Sequence, residues 1–144
     1  MTTRLRYIYD AELQLKDDGL VAASGAATLY GFIRVLDVGR SLFEGVLVID
    51  VSAVEIASNN ELYTVAIQGS SSSTFASDVQ NLAMIDFGAT EVRKGGAIDS
   101  TPGRYLLPFV NMPDDVIYPY LRVYTTVSGS VATGIDYVAW VSKA

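Results

Sequence analysis

The chain contains no cysteine and no histidine. The first absence removes any disulfide framework and all thiolate chemistry. The second removes the commonest general base near neutral pH and the commonest transition-metal ligand. A Ser–His nucleophile pair is therefore impossible. Charged side chains are also scarce, at 18% of 144 residues, and acidic ones dominate to give a net charge of −6 at pH 7. With no basic field to displace phosphate counterions, nucleic acid is not an expected partner. No apolar run approaches the ~18 residues that would read as a membrane span. The opening MTTRLRYIYD carries arginines with no apolar stretch behind them, so it does not read as a secretory leader. A chain made and assembled in a cytoplasm, without a membrane partner, is the resulting expectation.

What is present is apolar and extended. Hydrophobic residues make up 50% of the chain, including nine tyrosines and one tryptophan. The length predicts one domain with a real core, divided into residues 1–15 as an N-terminal arm or first strand and residues 16–144 as the main body. The most informative stretch is residues 118–141, YPYLRVYTTV-SGSVATG-IDYVAWV. Leu121, Val123, Thr125 and Val127 share one face, and Tyr120, Arg122, Tyr124 and Thr126 share the other. A period of two serves a strand and cannot serve a helix. The two runs read as an antiparallel hairpin at the centre of a sheet, the second run apolar on both faces and so covered on both sides.

Upstream, residues 5–15 alternate with apolar odd positions, as one long strand or as an arm before a shorter one. Residues 16–19 (KDDG) read as a turn. Residues 28–38 read as a strand carrying Leu29, Phe32, Ile33, Val35 and Leu36, and residues 46–54 as a strand buried on both faces. Further strands are expected at 62–68, 82–87 and 104–110. Between them lie a serine-rich surface loop at 69–73 and a long crossing connection at 89–103. About eight strands and no convincing helix predict an all-β, single-domain β-sandwich of jelly-roll type.

Little chemistry is available to such a chain. Asp17-Asp18 and Asp114-Asp115 are adjacent carboxylates, but neither pair has the alternating ligand spacing of a calcium loop. Gly95-Gly96 lacks the Lys-Ser/Thr ending of a phosphate loop. Neither enzyme activity nor a metal or other cofactor is expected. Trp140 and the tyrosines could stack on sugars or could simply fill the sheets. A carbohydrate-binding β-sandwich module, for receptor binding or appended to an enzyme, is the alternative to a structural role.

AIQGS-x-x-x-x-F (residues 66–75), a basic-to-glycine stretch, GRYLLPFVNMP (103–113) and YPYLRVYTTVSGSVATGIDYVAW (118–140) occur in an order that resembles the capsid cement, or decoration, proteins of short-tailed bacteriophages, the Bordetella-phage type in particular. The resemblance covers roughly residues 28–141. It implies a small jelly roll on the outer surface of an HK97-type capsid, a structural virion protein that bridges neighbouring major capsid proteins. The partners it implies are the major capsid protein and further copies of the chain, a dimer before a trimer. The N-terminal stretch departs most from the pattern. There, Arg4, Arg6, Tyr7 and Tyr9 are candidate capsid contacts on their own chemistry, a cationic and aromatic cluster in an acidic protein. Tyr120, Arg122 and Tyr124 are candidates for an exposed sheet face or an oligomer contact.

Overall fold

Six segments of eight residues or more form long strands in the computed structural model, which describes residues 10–96 and 98–143. In chain order, a 3-10 turn at Ala11–Leu13 leads into β1 (Gln14–Lys16), β2 (Leu20–Val21), β3 (Gly25–Ala26), β4 (Thr28–Leu29), β5 (Phe32–Ile33) and β6 (Leu36–Asp37). The long strands follow: β7 (Glu44–Val54), β8 (Leu62–Ser70), β9 (Gln80–Gly88), β10 (Gly103–Val110), β11 (Tyr120–Ser128) and β12 (Ile135–Lys143). No α-helix occurs among the described residues.

The first sheet has the order β1-β12-β7-β10 and the second β3-β11-β8-β9, with β2 added on β12 and β6 on β11. All pairings are antiparallel. Along the eight strands of these two paths the chain changes sheet at every connection except β8–β9. That is the winding of a jelly-roll β-sandwich.

Alternation explains the core. On the first sheet Leu15, Leu47, Ile49, Tyr137, Ala139 and Val141 turn inward and are fully buried. Tyr63, Val65, Ile67, Leu121 and Val123 meet them from the second sheet and are buried equally. Polar groups are tied across the same interior. The Thr125 and Tyr137 hydroxyls lie 2.6 Å apart and join the two sheets. Lys16 is 5% exposed, and its Nζ donates to the carbonyls of Asp17, Gly19 and Tyr137 at 2.9, 2.9 and 2.6 Å. The ammonium also lies 4.4 Å from the centroid of the Tyr137 ring. Burial pulls the Lys16 pKa below its ordinary value, while Asp136, Asp17 and Asp18 act in the opposite sense.

Three expectations are corrected here. The two runs within residues 118–141 are not a hairpin: β11 pairs with β8, and β12 with β7, in opposite sheets. Both present an apolar face to one shared core, and alternation reads the same whether strands lie side by side or face to face. Residues 28–38 are not one strand either. They break at Tyr30 and Gly31, whose φ angles are 54° and 86°, into the two-residue strands β4 and β5 and, after a gap, β6. Lys16 belongs to β1 rather than to the following turn, its ammonium taken inward by three backbone carbonyls. Of residues 5–15, the described part is residue 10, a 3-10 turn and the start of β1, with Leu15 in the core.

The crossing between β11 and β12 is held by one carboxylate. Glu55 accepts from the amides of Ala132, Thr133 and Gly134 at 2.7 to 2.9 Å. The Gly134 and Thr133 amides hold its pKa below the ordinary glutamate range. A carboxylate with a depressed folded pKa stabilises fully above its unfolded pKa, and that contribution is lost as pH falls through the folded value. Glu55→Gln should therefore lower the thermal midpoint at neutral pH, with the gap from wild type closing below about pH 4. A gap of equal size at about pH 3 would show that the charge is not what holds the turn.

Candidate interaction surface

Three cross-strand rows occupy the middle of the outer face of the second sheet. Tyr124, Ala66 and Met84 make an apolar row. On one side lies Thr126–Thr64–Asp86, where the Thr64 hydroxyl donates to Asp86 at 2.6 Å. On the other lies Arg122–Gln68–Asn81, where Arg122 Nε donates to Gln68 at 2.9 Å and Gln68 donates to Asn81 at 2.9 Å. Met84 is 55% exposed, a large apolar side chain held in solvent in the middle of the face. Tyr, Arg and Met are the side chains enriched where proteins meet.

Alternation along β11 brings Tyr120, Arg122 and Tyr124 to this face together, as their spacing predicts, though each is half-buried rather than fully exposed. Arg122 is packed on both sides, 4.3 Å from the Phe75 ring centroid and 5.3 Å from that of Tyr124. Burial pulls its pKa below the ordinary arginine value. Phe75 comes from the serine-rich loop, which is a constructed turn. Ser70 Oγ donates to the Ser77 carbonyl at 2.6 Å, and Ser72 Oγ accepts from the amides of Thr74 and Ala76. These bonds hold Phe75 at a φ of 57°, beneath the guanidinium. The pairing of Phe75 with Arg122 crosses between separate parts of the chain and has no signal in the local sequence.

A second surface arises from the β4–β5 hairpin. Its two-residue turn, Tyr30-Gly31, joins Leu29 to its partner Phe32. Positive φ at both turn residues is the mirror-image turn that suits strand twist, normally filled by Asn, Asp or Gly. A tyrosine there is unusual and carries backbone strain. Tyr30 is 78% exposed, Phe32 77% and Ile33 63%. The base is anchored: Tyr30 N donates to Asp17 Oδ2 at 2.8 Å, and Arg34 donates to the carbonyls of Gln14 and Glu12. Gly31, inside an apparently continuous strand pattern, was the available sign of this finger.

The remaining candidates fall elsewhere. Arg4, Arg6, Tyr7 and Tyr9 lie outside the described residues. Trp140 is 4% exposed and covered by the Arg104 guanidinium, 5.1 Å from its ring centroid, itself paired with Asp50 at 2.7 Å. It presents no open face for a sugar to stack on. Asp17 is engaged by Tyr30, and a hydrogen bond to Asp136 raises the Asp18 pKa above the ordinary carboxylate range. Asp115 occupies a turn at a φ of 61°. No group of three or more acidic side chains positioned to hold a metal ion occurs among the described residues.

Fold and surface together define an all-β jelly roll with large apolar side chains exposed in two separate places. No protein-family model matches the chain, and no curated protein sequence matches it either.

Proposed function

We propose that this chain is a structural virion protein, a cement or decoration protein that sits on the outer surface of an icosahedral capsid and bridges neighbouring major capsid proteins. The observation that carries the reading is the pair of separate contact surfaces on one small sandwich, the Tyr124–Met84 face and the Tyr30–Phe32–Ile33 finger. A brace needs at least two such surfaces, because it must hold two neighbours at once, and on a repeating shell a neighbour is either a capsid protein or a further copy of the chain. Once one contact is made, the second forms at high effective concentration, so individually weak contacts add up on a repeating shell. The sequence resemblance over residues 28–141 supports the same role. In this reading Arg4, Arg6, Tyr7 and Tyr9 supply a further, electrostatically steered contact to an acidic capsid surface.

Capsids purified without the protein provide the test. Added protein should bind saturably, at a fixed number of copies per shell, and raise the temperature at which packaged DNA escapes. Met84→Asp, on an exposed side chain, should weaken binding about tenfold or more while leaving the thermal midpoint of the free protein within about 2 °C. No binding to shells of the phage that encodes it would sink the proposal, and so would saturable binding to a defined oligosaccharide with none to shells.

A further inference from the structure

The finger has a complement on the same molecule. A pocket of about 440 Å³ opens where Val46, Leu82, Pro108, Phe109 and Val110 meet, with Glu44 at its rim. Its walls are apolar, and its volume suits one or two large side chains. Strand order places it. The finger leaves the second sheet between β3 and β6 and packs beside β1, so it lies on the edge that β1 and β3 share. The pocket lies on the edge formed by β9 and β10. These edges are three strand spacings apart, about 14 Å, and face in opposite directions.

The geometry points to a head-to-tail contact in which the Tyr30–Phe32–Ile33 finger of one copy enters the Val46–Pro108–Phe109 pocket of the next. Two observations make the finger apt to insert into a partner, and a third favours a second copy as that partner. The finger exposes three adjacent large apolar side chains, which solvent does not favour. It is held rigid by the Asp17 and Arg34 hydrogen bonds, so little conformational freedom is lost on insertion. Charge also matches. Arg34 at the finger's base bonds only neutral carbonyls, Glu44 is exposed at the rim, and Arg104–Asp50 is the one salt bridge among the described residues.

Because finger and pocket face opposite ways, a single two-fold axis cannot seat both fingers of a pair. The contact is heterologous, and it closes into a ring or continues as an open chain. It requires no capsid, so its test is independent of capsid binding.

The absence of cysteine makes that test clean. Single variants Phe32→Cys and Pro108→Cys, both at exposed positions, are mixed under mild oxidation at about 1 mM protein, a concentration that populates contacts at the weak end of measurable affinity. The expected result is a Phe32–Pro108 cross-link in the mixture that far exceeds the cross-linking of either variant alone. Sedimentation of the cysteine-free chain should show species that grow with concentration, and Phe32→Asp should weaken that growth about 30-fold or more with an unchanged thermal midpoint. A monomer throughout this range would overturn the inference, as would a Phe32–Phe32 cross-link as the main product or an association indifferent to Phe32→Asp.

Discussion

Truncating Leu121 to alanine is expected to destabilise the protein by about 2–5 kcal/mol. The side chain is fully buried on the inner face of β11, which faces the first sheet across the sandwich. Neighbours on both sheets belong to strands whose backbone pairing leaves little room for collapse into the space, so the lost transfer energy is joined by a cavity cost. Five residues along the same strand, Thr126 is exposed on the outer face, and Thr126→Ala should stay within about 0.5 kcal/mol of wild type. Chemical denaturation of the two variants compares inward and outward positions of one strand directly. Equal midpoints would mean that the register of β11 is wrong by one residue, which would turn every side chain on it to the other face.

Gly134→Ala should be harsher than its size implies. The residue has a φ of 92°, and a Cβ there would fall 1.9 Å from the carbonyl oxygen of Val21 and 2.6 Å from its carbon. Both atoms are backbone, so no rotamer change relieves the collision. The amide of Gly134 also donates to Glu55 at 2.8 Å. Displacing the glycine therefore releases the turn that carries the chain from β11 in one sheet to β12 in the other. A loss above about 4 kcal/mol is expected, a large fraction of the about 5–15 kcal/mol that holds a typical domain folded. Gly25→Ala is the matched comparison, since a Cβ there meets nothing within 4 Å. Soluble yield and thermal midpoint distinguish them. A Gly134→Ala protein as stable as Gly25→Ala would show that the β2 backbone does not sit against this turn.

By itself the sequence determined the fold class, an all-β sandwich. Period-two alternation put Leu121 and Val123 together on one face, the face that the structure buries, and brought Tyr120, Arg122 and Tyr124 to the other. The physical reason is that side-chain direction along a strand depends only on local pleating. The near-continuous run at 46–54 likewise announced a strand covered on both sides; β7 buries Leu47, Val48 and Ile49 completely, while Ser52 and Ala53 at its far end are exposed. Only the tertiary structure decided which strands lie side by side. Residues 118–141 read as a hairpin because two strands facing each other across a core carry the same pattern as two that share a ladder. The Glu55 carboxylate fastens the crossing from one sheet to the other, 77 residues and more from the amides it captures. The finger was hidden for a related reason. Tyr30, Phe32 and Ile33 are β-formers whose composition says buried strand, and nothing local reveals that Asp17 and Arg34 hold them out in solvent. The same holds for Arg122, whose packing against Phe75 requires the serine loop to fold over the sheet. Alternation is a property of neighbouring residues and survives in the sequence. Partnership between distant residues is a property of the closed sandwich, and it appears only when the two sheets meet.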